Sequence, residues 1–146
     1  MDTIQIRVFR PADEPAVINL WHTCGLVVPQ NDPAKDIRRK LSEHPEFFFV
    51  ATEGERIIGS VMAGYEGHRG WINYLAVSPG HRRRGLGRQL MATAEERLRA
   101  LGCPKINLQV RKTNTEVIAF YQGIGFSEDA VVSFGKRLIR DNKDIK

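Results

Sequence analysis

Cysteine is scarce in this chain, and its two cysteines stand far apart. Cys24 and Cys103 form no CxxC pair in the 146 residues. This spacing argues against a disulfide scaffold and against a cysteine-built zinc site, and it favours a reducing cytoplasm. The four histidines show no metal-ligand spacing either, so we expect no metal centre.

Long hydrophobic runs are also missing. No stretch approaches the roughly 18 apolar residues of a membrane span, and the first ten residues contain no apolar signal-peptide core. We therefore expect a cytoplasmic protein without a membrane partner. The composition, 42% hydrophobic and 27% charged, is typical of a globular protein, and no linker or repeat divides it. The sequence predicts one domain over residues 1–146.

Positive charge is in excess, with 22 lysines and arginines against 17 acidic residues and a net charge of +5. This excess favours an anionic partner such as nucleic acid, an anionic membrane or a phosphorylated small molecule. Arg82, Arg83, Arg84 and Arg88 lie within seven positions. Charge runs usually face solvent, so charge alone does not choose among these partners.

Hydrophobic periodicity predicts alternating strands and helices. Strands are predicted over residues 4–9, 46–52, 56–66, 71–77 and 106–110, with one or two more within 126–138. Helices are predicted over residues 13–25, 32–43, 85–101 and 114–124, with Asp13, Asp32 and Asn114 or Thr115 as caps. The buried stripe of the third helix is predicted to be Leu90, Met91, Ala94, Leu98 and Leu101, and Trp71 and Tyr74 are expected in the core. The order of elements implies an α+β or mixed α/β sheet.

The most informative segment runs from residue 75 to residue 88, where a buried strand enters a basic turn and then a helix. The free N–H groups at a helix start, together with the helix dipole, attract anions. Gly85 and Gly87 let an anion approach the backbone without meeting a Cβ atom. The ATP-binding and dinucleotide-binding glycine patterns both fail here, at Leu86 and Leu90 respectively. We interpret the segment as a phosphate-binding turn of another kind.

Two patterns in this chain resemble the GCN5-related N-acetyltransferase (GNAT) family. The first is Val77-x-Pro79-x-x-Arg82-x-x-Gly85-x-Gly87, and the second is Asn114-x-x-Val117-x-x-Phe120-Tyr121-x-x-x-Gly125-Phe126. Their order and separation also resemble the family, and the resemblance extends over the whole chain. It implies a central, mostly antiparallel twisted sheet with a splayed strand pair and about four flanking helices.

The resemblance further implies that acetyl-CoA is the cosubstrate and that it enters between the strands 71–77 and 106–110. Backbone groups of residues 75–77 would pair with its pantetheine arm, and N–H groups of residues 83–88 would hold its pyrophosphate. The residues implied for cosubstrate binding are Leu75, Ala76, Val77, Arg82, Arg83, Arg84, Gly85, Leu86, Gly87, Arg88, Asn114 and Tyr121.

Acetyl transfer to an amine requires a proton acceptor, a donor to the developing oxyanion and a proton for the leaving thiolate. The family resemblance implies Tyr121 as the acid that protonates the thiolate; packing beside Phe120 is its structural alternative. Asn114 has the alternative of capping its helix. A backbone N–H near Ala76 or Val77 would serve the oxyanion.

The general base is the least defined part of this mechanism. Many family members carry an acidic residue on the strand that matches residues 71–77, but this chain has Asn73 and no acid there. Glu66, at the end of the preceding strand, is the first candidate and would act through water. His68 is the second, since an ordinary histidine titrates near neutral pH, although it is equally suited to a solvated turn.

We therefore expect a cytoplasmic acetyltransferase that moves an acetyl group from acetyl-CoA to an amine by direct transfer. Two alternatives stay open, namely an acetyl-CoA-binding regulatory domain without catalysis and a basic nucleic-acid-binding module. The second lacks a recognisable nucleic-acid motif. The sequence does not identify the acceptor, which residues 26–36 and 66–70 are expected to shape. An exposed strand among the last residues could pair two chains into a homodimer.

Overall fold

The computed structural model describes residues 3–141. Its strands are β1 (Ile4–Val8), β2 (Phe48–Glu53), β3 (Arg56–Tyr65), β4 (Gly70–Val77) and β5 (Ile106–Asn107). Its helices are α1 (Glu14–Thr23), α2 (Pro33–Leu41), α3 (Leu86–Ala100) and α4 (Thr115–Gly123). Single 3-10 turns at Pro11–Asp13, Pro45–Phe47 and Pro79–His81 precede α1, β2 and the basic turn. The predicted mixed α/β architecture with four helices is confirmed.

The five strands form one sheet in the order β1-β2-β3-β4-β5. The first three pairings are antiparallel, and β4 and β5 are parallel. Only two residue pairs join β4 to β5, Gly70 with Ile106 and Trp71 with Asn107. Beyond Trp71 the two strands separate, which confirms the predicted splay in a mostly antiparallel sheet.

Helices cover both faces of the sheet, and each face has its own hydrophobic cluster. Consecutive residues of β2 illustrate this, because Phe48 packs with Trp21 and Ile37 while Phe49 packs with Leu90 and the α3 side. Apolar residues on both faces are typical of strands that are buried from two sides. The clusters hold α1 and α2 on one face and α3 and α4 on the other.

A bulge interrupts the pairing of β3 with β4. Met62 pairs with Asn73 and Ser60 with Ala76, so β4 contains one residue more than β3 over this stretch. Tyr74 lies within the bulge in the left-handed region, with φ of 52°. A bulge redirects side chains relative to a regular strand, and here it turns Tyr74 towards the α1 and α2 face.

Polar contacts stabilise the bulge from within the core. The indole Nε1 of Trp21 donates to Ser60 Oγ at 2.9 Å, and Ser60 Oγ donates to the carbonyl oxygen of Tyr74 at 2.8 Å. The rings of Trp21 and Tyr74 stack with centroids 3.8 Å apart. These contacts satisfy buried polar groups that an unpaired bulge would otherwise leave without partners.

The prediction of final strands within residues 126–138 is wrong, since this range forms no strand in the described chain. Side chains alone tie it to the β5 region: Asp129 accepts hydrogen bonds from Asn107 at 2.8 Å and Lys105 at 2.9 Å, and Ser133 accepts one from Gln109. The predicted strand 106–110 is likewise reduced to Ile106–Asn107, because the chain leaves β4 there. Residues 126–138 therefore have no extended strand beside them with which their backbone could form hydrogen bonds.

The predicted caps and buried positions are confirmed except at three residues. Asp32 accepts a hydrogen bond from Lys35 N at 3.2 Å, whereas Asp13 does not cap α1 with its side chain and instead binds Arg7. Leu101 is 49% exposed, because α3 ends at residue 100 and its stripe turns away from the sheet. Trp71 is 40% exposed rather than in the core, because β5 does not cover it fully.

Candidate functional site

The N-terminus of α3 presents unpaired backbone donors to the surface. Gly85 precedes the helix with φ of +77°, and the first intrahelical bond joins Gln89 N to Gly85 O at 3.0 Å. The amides of Leu86, Gly87 and Arg88 therefore lack acceptors within the helix. No side chain caps this end, and no other atom lies within 4 Å of the position that a Cβ of Gly85 would take. Such an end can hold an anion.

Four arginines surround this helix end, and all four are exposed. Arg82 Nε donates to the carbonyl oxygen of Val77 at 3.1 Å, which ties the basic turn to the end of β4. Arg88 Nη2 lies 3.5 Å from the carbonyl oxygen of Gly123 in α4. Arg83 and Arg84 extend the positive surface from the turn, and Arg83 has a left-handed backbone with φ of 65°.

A buried histidine anchors the same turn. His81 Nε2 lies 3.1 Å from Glu53 Oε1 at the end of β2, and this contact holds the pKa of the Glu53 carboxyl below its usual range. Sequence reasoning gave His81 no role. The pair is separated by 28 residues, so no local pattern indicates it.

Close packing brings α3, α4 and the end of β4 together. A Cβ atom on Gly87 would lie 3.1 Å from Phe120 Cζ and 3.7 Å from Val77 Cγ2. Glycine at this position therefore lets α4 approach the start of α3. Tyr121, the next residue of α4, belongs to the same hydrophobic cluster as Leu86.

Tyr121 is almost fully buried, with 8% of its surface exposed. Phe120 and Phe126 pack edge-on against its ring, with centroids 5.1 Å and 5.6 Å away. Burial raises the pKa of Tyr121 to about 12, so the phenol is protonated at neutral pH. Both expectations for this residue are compatible with the packing, because a tyrosine can fill the core and still present its hydroxyl to a cleft.

The cleft that Tyr121 lines has a volume of about 1380 Å³. It is bounded by the second half of α3, by β5 and the chain that follows it, by α4 and by residues 126–133. Among the residues predicted for cosubstrate binding, only Tyr121 lines it. The basic turn lies outside this cleft, on the open surface at the start of α3.

The predicted pantetheine-binding stretch occupies the outer edge of β4. Leu75 and Val77 pack against the α3 and α4 cluster, while Ala76 is buried in the opposite one. Because β5 pairs only with Gly70 and Trp71, residues 72–77 have no neighbouring strand on that edge within the described chain. Side chains occupy two carbonyls of this stretch, since that of Tyr74 accepts from Ser60 and that of Val77 from Arg82. The other outward backbone groups have no strand partner there and can pair with an extended ligand.

Asn114 caps α4, since its side-chain oxygen accepts a hydrogen bond from Val117 N at 3.3 Å. This hydrogen bond occupies the carbonyl oxygen of the Asn114 side chain. A direct role of Asn114 in cosubstrate binding stays a prediction.

The two predicted bases lie at the opposite end of β4 from the basic turn. Tyr65 pairs with Gly70, so Glu66 and His68 belong to the turn that joins β3 to the start of β4. The carboxylate of Glu66 accepts hydrogen bonds from the backbone of His68, at 2.8 Å, and of Arg69. These contacts hold the pKa of Glu66 below its usual range, with the Arg69 contact the larger cause. The structure thus separates both residues from the α3 N-terminus.

Neither a metal-binding cluster nor a bilayer-spanning helix occurs in residues 3–141. No group of three or more histidine, cysteine, aspartate or glutamate side chains there is arranged to hold a metal ion. Within the same residues, no helix combines the length and the apolar character needed to cross a bilayer.

Comparison with known proteins identifies the class. The model of the acetyltransferase (GNAT) family matches residues 14–126. An acetyltransferase of Sodalis glossinidius is 47% identical over 141 residues, covering 96% of this chain and 99% of that protein. An acetyltransferase of Pectobacterium atrosepticum is 46% identical over 140 residues, with the same coverage.

Solved structures agree with this result. Ard1 from Thermoplasma volcanium superimposes with a TM-score of 0.76 at 30% identity, covering 87% of this chain and 84% of that one. The aminoglycoside N-acetyltransferase AAC(6')-Iy in complex with CoA has a TM-score of 0.78 at 20% identity, covering 95% and 97%. At 20% identity, the similarity to AAC(6')-Iy shows a shared fold and no more.

The splayed sheet and the exposed N-terminus of α3 thus belong to a CoA-dependent acyltransferase, and the chain is a member of the GNAT family. It is an acetyl-CoA-dependent N-acetyltransferase. The expected fold, enzyme class and cosubstrate are confirmed, and the two non-enzymatic alternatives are set aside.

Proposed function

We propose that this enzyme transfers an acetyl group directly from acetyl-CoA to a primary amine while both are bound. The observation that carries the proposal is the position of the α3 N-terminus, whose free amides lie at the end of the unpaired edge of β4. A ligand with a diphosphate at one end and an extended amide-bearing arm fits this arrangement. CoA has both parts.

The cosubstrate would lie along the gap between β4 and β5. Its pyrophosphate would accept hydrogen bonds from the amides of residues 86–88, and the arginines at positions 82–84 and 88 would balance its charge. Its pantetheine arm would pair with Leu75, Ala76 and Val77. The thioester would then reach the point where β4 and β5 separate.

The reaction balances without a covalent enzyme intermediate. The nitrogen lone pair of the amine attacks the thioester carbonyl carbon, and an N–H near Ala76 or Val77 stabilises the oxyanion. The C–S bond breaks, and the CoA thiolate takes a proton from the Tyr121 hydroxyl. The amine nitrogen loses one proton to a base. Glu66 and then His68 stay the proposed bases, and each would act through water because both lie in the turn before β4.

Calorimetric titration and a thiol-release assay test this function together. We expect saturable binding of acetyl-CoA and release of CoA thiol only when an amine acceptor is present. Intact mass measurement after incubation with acetyl-CoA alone should show an unmodified chain. An acetylated enzyme that passes its acetyl group to added amine would contradict direct transfer, and a failure to bind acetyl-CoA would contradict the site itself.

We also propose that two copies of this chain associate through the segment after α4, in the cytoplasm. Five large apolar residues of this segment are exposed, with Phe134 at 92%. They are Val131, Val132, Phe134, Leu138 and Ile139. The cleft between β5 and residues 126–133 leaves a sheet edge open beside them, and open edges and apolar patches of this kind favour pairing with another chain.

The two free cysteines are compatible with a reducing compartment.

Light scattering coupled to gel filtration tests the association. We expect the wild-type enzyme to elute at twice the chain mass of 16.5 kDa. Val132→Asp should elute as a monomer, because a carboxylate would be buried at the contact. Val8→Asp is the matched control, since Val8 is an exposed valine of β1 at the opposite edge of the sheet, and it should leave the dimer intact. A monomeric wild type at micromolar concentration would contradict the proposal.

A further inference from the structure

Lys40 holds a positive charge on the sheet face opposite to α3 and α4. It lies in the last turn of α2, is half-buried and donates a hydrogen bond to the carbonyl oxygen of Ala63 in β3. Its ammonium lies 3.8 Å from the position that a Cβ of Gly64 would take. The lysine therefore projects onto β3 rather than into solvent.

This charge lies at the level where the sheet opens. Gly64 pairs with Trp71, and Trp71 is the last residue of β4 that pairs with β5. Cross-strand partners share a face of the sheet, so the Trp71 side chain leaves β4 on the side of the Lys40 ammonium. At the open sheet edge Trp71 also borders the cleft beside β5. Lys40 is thus placed beside the point that the thioester reaches in the proposed function.

The Lys40 ammonium has no ion-pair partner among residues 3–141. The two carboxylates that act on it from a distance, Glu43 and Glu46, contact His44 instead, at 3.6 Å and 3.3 Å. Burial lowers the pKa of Lys40. A partly desolvated cation with one neutral hydrogen bond retains two donors for an anion.

The other charged group on this face of α2 is already engaged. Asp36, one helical turn before Lys40, accepts hydrogen bonds from the Tyr74 hydroxyl at 2.6 Å and from Arg39 Nη1 at 3.2 Å. Arg39 also neutralises its charge. Among the described residues of α2 that contact the sheet, Lys40 is therefore a cation without an ion-pair partner, and Asp36 is a carboxylate that is already paired.

The exposed surface next to Lys40 combines aromatic and polar side chains. Trp71 is 40% exposed. Asn73, the partner of Met62 in the α1 and α2 cluster, is exposed on the same face. An aromatic ring, a side-chain amide and an ammonium together recognise an organic carboxylate more readily than a polycation.

We propose that Lys40 binds the carboxylate of the acetyl acceptor, so that the enzyme acts on amines that also carry a carboxylate group. This rests on the proposed function, since it places the acceptor on the α2 side of the β4 and β5 opening. The face covered by α3 and α4 contains Tyr121, and the gap between the strands is taken by the cosubstrate. The amine then approaches from the α2 face while Lys40 holds the carboxylate.

The test compares amino acids with their own carboxamides and with diamines in the thiol-release assay. We expect the wild type to prefer the acids. Lys40→Met should raise KM for the acids by about 10- to 100-fold, the range for losing a hydrogen bond to a charged group. KM for the carboxamides should stay unchanged, so the preference disappears. Lys40→Arg should restore it in part, and Lys35→Met, which removes a lysine from the exposed side of α2, should leave it intact.

Binding of acetyl-CoA, measured by calorimetry on each variant, separates this proposal from the one it rests on. Unchanged cosubstrate affinity with an altered acid-to-amide preference supports the role of Lys40. Equal turnover of acids and amides by the wild type, turnover of diamines alone, or no turnover of any carboxylated amine by an enzyme that binds acetyl-CoA would overturn it. An enzyme that binds no acetyl-CoA would instead defeat the proposed cosubstrate site.

Discussion

Gly85→Asp should weaken the binding of acetyl-CoA at least about tenfold more than a neutral substitution at the same position does. A carboxylate at this position would lie next to the amides that we assign to the pyrophosphate, and as an N-cap it would itself accept their hydrogen bonds. Two unit charges about 4 Å apart repel by about 4 kcal/mol at an effective dielectric constant of 20. Screening by salt at an exposed site reduces this repulsion. We expect the charge alone to lower the affinity for acetyl-CoA at least about tenfold, in addition to the loss that a neutral variant shows.

Gly85→Asn is that neutral variant. Asparagine tolerates the left-handed backbone of Gly85 about as well as aspartate does, and no other atom within 4 Å of the Cβ position hinders either residue. Calorimetry with acetyl-CoA, after thermal unfolding has shown that both variants fold, isolates the effect of the charge. Equal affinities of the two variants would mean that the phosphates bind elsewhere.

Tyr121→Phe should reduce turnover by on the order of 100-fold, within the range for losing a general acid. The ring packing against Phe120 and Phe126 remains possible, so acetyl-CoA affinity should be kept. The measurement is kcat from thiol release together with the dissociation constant from calorimetry. An unchanged kcat in Tyr121→Phe would remove the hydroxyl from the mechanism.

The pH dependence of kcat provides a second readout for Tyr121. Burial raises its pKa to about 12, and an acid works only while it is protonated. Titration of Tyr121 should therefore leave kcat of the wild type unaffected up to about pH 10, and any decline below that pH belongs to another group. A decline near pH 9 that disappears in Tyr121→Phe would contradict this assignment of the pKa.

The basic turn could be predicted because its structure is local. Pro79 restricts its own φ and Gly85 permits a left-handed φ, and both effects act on the backbone that contains the residue. The start of α3 follows from the same residues. Asn114 as the cap of α4 is similarly local, since it contacts a backbone amide three positions later.

The surroundings of Lys40 could not be predicted because they depend on strand register. Lys40 and Ala63 are 23 positions apart, and the bulge at Tyr74 shifts the second half of β4 by one residue. A one-residue shift exchanges the faces of every following side chain. Ser60 is a weak signal, as the only serine of the mostly apolar strand β3, but its partners Trp21 and Tyr74 lie far away in sequence.

The final strands were predicted from a genuine apolar pattern, yet a strand also needs a partner. Val131 and Val132 are residues with high strand propensity. Their hydrogen-bonding groups find no ladder among residues 3–141, because β5 contributes two residues only. Strand propensity depends on the residues of the segment alone, whereas strand formation also requires a neighbouring strand with free backbone groups.

The two residue pairs between β4 and β5 have a consequence for how long the enzyme persists. A cosubstrate that lies in the gap beyond them completes the sheet, so it binds the folded state and not the unfolded one. Mass action then adds RT ln(1 + [L]/Kd) to the free energy of unfolding. We therefore expect the enzyme to resist thermal unfolding and proteolysis more strongly as the concentration of acetyl-CoA rises.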